Sequence, residues 1–170
     1  KRAAELHDED LFKEHLPRED CPICFLPLPL KPEDSIFETC CGKSICMGCL
    51  YGVAQEGFMR GKKTEDIGLC AFCREPGTCS EEDDVKRLKK LTEKGNARAY
   101  LQLGVMYENG EGGLPQDWTK ANELWLQAGK LGCAESYYNL STYYYGRAGN
   151  QKKAEYFWEL AAMGGMVDAR

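Results

Sequence analysis

The chain has 170 residues, 43% of them hydrophobic, enough for one ordinary folded domain or two small ones. A net charge of −5 argues against binding to nucleic-acid backbones, which draws on a surplus of Lys and Arg gathered on one face. No apolar run is long enough to span a membrane, and charged residues between Lys1 and Glu14 stand where a secretory leader would need an apolar core.

Composition changes along the chain. Nine of the ten cysteines precede Glu81, whereas eight of the nine tyrosines and all three tryptophans follow it, which predicts two modules. Residues 1–19 read as an acidic lead-in, helical or flexible; because the first residue is Lys, the chain is expected to be an excerpt. From Asp20 the thiols come in pairs. Cys21-Pro22-Ile23-Cys24, Cys46-Met47-Gly48-Cys49 and Cys70-Ala71-Phe72-Cys73 each place two cysteines on one tight turn. Two intervening residues let a turn aim both sulfurs at a single ion, and zinc takes four thiolates in a tetrahedron. Such pairs imply chelation in a reducing, intracellular compartment; a secreted disulfide framework is the alternative. The fourth pair is Cys40 and Cys41, adjacent in sequence, so the backbone must kink, which Gly42 permits. Eight thiolates satisfy two ions. In the other reading Cys40 or Cys41 is a spectator and His7, His15 or Cys79 completes the site. Closed all-thiolate sites leave no position for water, so both ions are expected to be structural and not hydrolytic.

Over about Asp20 to Pro76 these residues resemble the RING finger family. The resemblance implies alternate pairing, with one Zn2+ held by Cys21, Cys24, Cys46 and Cys49 and a second by Cys40, Cys41, Cys70 and Cys73. It differs from most of the family in having Lys43 where a histidine ligand is usual, which makes it similar to the all-cysteine variant. The resemblance also implies ubiquitin transfer, in which the module grips a charged ubiquitin-conjugating enzyme and contributes positioning instead of a nucleophile. Ile23 matches the apolar contact to that enzyme, and Arg74 matches the cation that hydrogen-bonds both enzyme and ubiquitin. Ala71 stands where the family's ligases usually have proline, and no tryptophan lies between Cys49 and Cys70. A helix is expected from near Met47, with Leu50, Tyr51, Phe58 and Met59 divided between the module's core and a contact surface.

Ser80 followed by Glu81, Glu82 and Asp83 reads as a helix start, a capping hydroxyl with acids at the positive end of the dipole. The helix is expected over about Glu82 to Lys94, closing a linker and cap at 80–95. Beyond it the sequence repeats. Ala97 to Gly104 matches Ala134 to Ser141, 37 residues on, and Lys120, Trp125 and Ala128 match Lys153, Trp158 and Ala161, 33 residues on. Repeats of this length predict stacked helical hairpins. Small residues (Ala99, Gly104, Ala121, Ala128) allow close approach, with Leu103, Tyr107 and Trp125 as filling. Residues 96–170 resemble Sel1-like repeats, relatives of the tetratricopeptide class, with Gly110 to Asp117 as the loop between helices and a last repeat that begins at Met166 and is expected to be cut off. Tyr137, Tyr138, Tyr143 and Tyr145 are candidates for a protein-docking face or for packing, and Cys133 is expected to be a small buried side chain.

The fold class expected is therefore a small zinc-stabilised α+β RING module (20–79) followed by an all-α helical-repeat solenoid. The function expected is that of a ubiquitin ligase which recruits a conjugating enzyme through the RING and a protein substrate through the repeats. The alternative is a non-catalytic adaptor in which zinc only folds a binding platform. A redox enzyme using Cys-x-x-Cys chemistry lacks the strand-helix context it would need.

Overall fold

The computed structural model describes residues 19–29, 32–59, 69–77 and 80–164. The lead-in with His7 and His15, the side chains of Phe58 and Cys79, and the incomplete repeat from Met166 lie outside the described residues.

The N-terminal half is built on two similar turns and one hairpin. In the first turn Cys21 N–H donates to Leu26 O and Phe25 N–H to Cys21 O; in the second, Cys70 N–H donates to Glu75 O and Arg74 N–H to Cys70 O. Each knuckle thereby curls its backbone N–H groups around a cysteine, and each closes on a residue in the left-handed region, Phe25 at φ 59° and Arg74 at φ 65°. Between the knuckles, β1 (Ser35–Glu38) pairs antiparallel with β2 (Lys43–Cys46), Ile36 opposite Ile45 and Glu38 opposite Lys43. β2 runs directly into α1 (Met47–Met59). A small core of Cys21, Leu28 and Ile45 lies between these pieces, with Ile23 and Ala71 packed on its edge.

The C-terminal half is helical throughout: α2 (Glu81–Glu93), α3 (Ala97–Asn109), α4 (Trp118–Lys130), α5 (Ala134–Thr142) and α6 (Gln151–Met163), each packed on the next. The chain writes most of the helix starts locally. Ser80 Oγ accepts from Asp83 N–H, Asn96 from Ala99 N–H, Asp117 from Thr119 and Lys120 N–H, and Asn150 from Lys153 N–H. Such caps contribute about 1 kcal/mol each. Gly110, at φ 75°, ends α3 in the left-handed conformation that opens the loop to Asp117. In the second repeat a π-helical turn, Tyr143–Arg147, stands where α3 has its last turn, and only Ala148 to Asn150 lie between it and α6.

One stripe recurs in the even-numbered helices. Ala121, Trp125 and Ala128 of α4 are buried, and the Trp125 indole N–H donates to Leu101 O at 3.3 Å. Ala154 and Ala161 of α6 repeat the two alanines, both fully buried. α2 departs from this pattern, having Asp84 where the others have Ala121 and Ala154, and Leu91 where they have Ala128 and Ala161.

Candidate metal centre and docking surfaces

The hairpin and the knuckles bring eight sulfurs into two groups. Cys21, Cys24, Cys46 and Cys49 form one and Cys40, Cys41, Cys70 and Cys73 the other, with the sulfurs of each group all within 4.8 Å of one another. These are the sets that alternate pairing implies: the first group's two pairs flank Cys40 and Cys41, and the second group's two pairs flank Cys46 and Cys49. None of the nine described cysteines is in a disulfide.

The donor set fits a tetrahedral ion. At a Zn–S length near 2.3 Å the edge of a thiolate tetrahedron is about 3.8 Å. Cys24 and Cys46 stand 3.9 Å apart, Cys41 and Cys70 3.9 Å, and Cys73 and Cys40 3.4 Å. The electrostatics agree with that geometry. Cys21 is fully buried, which raises its pKa, but N–H groups of Cys24, Cys46 and Ile23 outweigh burial and hold the thiol at about 6. At Cys73, burial is likewise outweighed, by Glu75 N–H and by the Cys40 thiol, and the pKa is lowered. The neighbours go the other way. Burial and the adjoining Cys73 push Cys40 up, burial and Cys70 push Cys41 up to about 11, and the hydrogen bond with Cys46 and burial push Cys49 up to about 12. Four crowded thiols cannot all ionise unless a cation sits among them.

The second set depends on Gly42. At φ 69° its N–H turns back to Glu38 O at 2.8 Å, so the chain reverses as it passes Cys40 and Cys41 and both sulfurs face the same partners. Lys43 begins β2 with its side chain exposed, outside both groups.

Of the residues matched to family contacts, Arg74 is exposed directly after the last thiol, whereas Ile23 and Ala71 are half-buried on the small core. Leu50 is half-buried and Tyr51 and Met59 are exposed on α1. Sequence reasoning passed over Phe25 and Leu26, which are 76% and 64% exposed, and Phe72, also exposed. Hydropathy assigns such residues to a core; their place inside or just after a Cys-x-x-Cys knuckle is the signal that they face outward.

On the repeats, Tyr137 and Tyr143 pack against the helical core, Tyr137 stacked on Phe157 and Tyr143 on Trp118. Tyr138 is half-buried, while Tyr145 is exposed and leans on Trp158. Cys133, expected to be buried, is half-buried at the start of α5, where burial pushes its thiol up to about 11. An open groove of about 390 Å³ lies between α3 and α4, lined by Leu103, Tyr107, Lys120, Glu123, Leu124 and Gln127. No helix among the described residues is long and apolar enough to cross a membrane.

The family model described as Sel1 repeat matches residues 97–133 and 134–166. No curated protein matches the chain. Among solved structures, a Sel1 repeat protein from Oxalobacter formigenes is 23% identical with a TM-score of 0.46. A protective antigen present in uropathogenic Escherichia coli strains, displaying an SLR fold, is 21% identical with a TM-score of 0.47. Each alignment covers 71% of this chain but only 44% and 24% of the other, so the chain spans less than half the length of these proteins. Repeats of helical hairpins present extended surfaces for binding other proteins. The helical half of the chain carries two stretches similar to such a unit, at 97–133 and 134–166.

Proposed function

We propose that the chain is a RING-type ubiquitin ligase in which the cysteine-rich half holds a ubiquitin-charged conjugating enzyme and the Sel1 repeats hold a protein substrate. Two Zn2+ ions, one in each thiol group, supply no chemistry to the transfer; they hold a module too small to stay folded on its own apolar core. The reaction takes place on the partners. A substrate lysine amine attacks the thioester carbonyl joining ubiquitin to the conjugating enzyme, the C–N bond forms as the C–S bond breaks, and the amine proton leaves with the enzyme's thiol. The chain's part is to restrain that thioester, for which the exposed Arg74 has several planar donors.

The observation that carries this reading is the pair of interleaved four-thiol groups, with Arg74 exposed beside the last of them. Backbone strain adds weight. A left-handed residue other than glycine costs about 1–2 kcal/mol, yet both knuckles spend that position on a large exposed side chain, Phe25 and Arg74. Phe25, Leu26 and Phe72 give the module an exposed apolar surface of the sort that partners cover.

A second reading, an adaptor without transfer activity, is favoured by Ile23 and Ala71, whose packing on the small core accounts for them without any partner. Autoubiquitination across a panel of conjugating enzymes separates the two. A ligase loses activity in Arg74→Ala and Ile23→Ala while both variants keep two zinc ions per chain. Silence of the folded, metal-loaded wild type across the panel establishes the adaptor, and fewer than two ions per chain overturns both.

A further inference from the structure

We propose that two residues of the helical half, Asp84 of α2 and Asn96 at the start of α3, are positioning residues for the second metal site. The inference rests on the two-ion reading above. Cys40 and Cys41 are neighbours, and neighbouring side chains on an extended strand point to opposite faces. Both sulfurs can serve one ion only while the turn from Thr39 to Gly42 is kept, and that turn is gripped from outside the module. Thr39 Oγ1 donates to Asp84 Oδ1 at 2.7 Å, and Asn96 Nδ2 donates to Gly42 O at 2.9 Å. The fit is close. A Cβ placed on Gly42 would stand 2.8 Å from Asn96 Nδ2 and 2.9 Å from Leu91 Cδ2.

The other thiol pair of this site is held from the same helix. Both terminal nitrogens of Arg87 donate to Pro76 O at 3.2 Å, just beyond the knuckle that carries Cys70 and Cys73. The three side-chain hydrogen-bond links described between the halves thus all end on the turn or the knuckle of the second site.

Comparison of the helices shows what these residues replace. Where α4 and α6 have a fully buried alanine, Ala121 and Ala154, α2 has the half-buried Asp84. Packing between repeats explains an alanine there but not a carboxylate; Thr39 does explain it. Asn96 occupies the place of Cys133, which makes no capping bond. Asn96 performs two tasks: its Oδ1 accepts from Ala99 N–H at 3.0 Å and caps α3, while its Nδ2 holds the turn. The amide suits both, since it has an acceptor and a donor on one rigid plane. Hydrogen-bonded groups behind a metal's ligands commonly set its affinity by 10- to 100-fold.

The test is a Co2+ titration of the whole chain, followed by thiolate-to-cobalt absorption and by chelator competition. Wild type takes up two ions, and Cys73→Ser identifies the step that belongs to the second site. Asn96→Asp keeps the cap acceptor and loses the donor, and Thr39→Val keeps the shape and loses the hydroxyl. Each is expected to weaken that step roughly tenfold and to leave the first step and the helix content unchanged. Asp84→Asn and Thr39→Ser, which preserve the acceptor and the hydroxyl, are expected to bind as wild type does. Wild-type affinity at both steps in Asn96→Asp and Thr39→Val overturns the proposal, as does an equal loss at both steps, which is what general destabilisation produces. Wild type that binds fewer than two ions overturns the two-ion reading beneath it.

Discussion

Gly104 lies on α3 where the Trp125 indole crosses it, and Gly104→Ala measures how tightly the first repeat is packed. A Cβ there would stand 2.5 Å from Trp125 Nε1 and 2.6 Å from Cδ1. Carbon contacts relax only at about 3.5–4.0 Å, so roughly 1 Å must be found between two helices. The indole has nowhere to go: Trp125 is 1% exposed and bonded to Leu101 O. Overpacking of this kind costs about 1–3 kcal/mol, and weakening the indole bond adds about 1 kcal/mol. The better helix propensity of alanine offsets about 1 kcal/mol. The net effect is destabilisation by about 1–3 kcal/mol, or several degrees in Tm at roughly 2–4 °C per kcal/mol for a chain of this size. All three tryptophans lie in the repeats, so fluorescence-monitored urea unfolding reads this half selectively. Gly52→Ala on α1, followed by thermal melts because no tryptophan reports on that half, is the control: nothing lies within 4 Å of its Cβ position, and stabilisation by about 0.5–1 kcal/mol is expected from propensity alone. A Gly104→Ala variant as stable as wild type would mean that the α3–α4 contact is not the one described.

Gly42→Ala combines a left-handed backbone, φ 69°, with contacts under 3 Å to Leu91 and Asn96; a loss of at least about 2 kcal/mol is expected in thermal melts, against a null result if the turn is loosely held. Leu124→Phe is expected to stabilise by about 0.5–1.5 kcal/mol, because the equivalent residue of the next repeat, Phe157, stacks on Tyr144 at 5.5 Å whereas Leu124 borders an open groove beside Tyr107. An unchanged urea midpoint would show that the groove does not accept a ring. Cys133, pushed from 9 to about 11, holds roughly a hundredfold less thiolate at pH 8 than an ordinary thiol. Peptide-mapped alkylation with iodoacetamide should therefore be slow at Cys133 until the chain is unfolded. The same shift sets a pH dependence. The raised pKa contributes stability that is full below pH 9 and is lost as pH rises through 11, because the unfolded chain gives up its proton first; Cys133→Ala removes that component.

The sequence was most informative where physics acts over a few residues. Two-residue spacing brings each thiol pair together within one turn, and Gly42 announces the reversal past Cys40 and Cys41. Capping by Ser80 needs only Asp83 three residues on, and the period of small and large residues places Ala121, Trp125 and Ala128 in the core. What escaped was long-range or conformational. Thr39 and Asp84 are separated by 45 residues, and no local pattern joins them. The left-handed backbone at Phe25 and Arg74 comes from knuckle geometry that favours glycine, so composition concealed it. The π-helical turn at Tyr143–Arg147 takes up a shortened loop, and it too is decided by how α6 must land on α5.

The departure of α2 from the stripe of α4 and α6 gives the stack a direction. Arrays of this kind lengthen by duplication of a helix pair, and a new pair joins wherever its small residues meet small residues. Ahead of α2 an incoming pair would meet the carboxylate of Asp84 and the bulk of Leu91 in place of two methyl groups, and would have to displace the Thr39–Gly42 turn. Divergence in repeat number among descendants of this gene would therefore accumulate on the far side of α3, with the junction to the cysteines inherited unchanged.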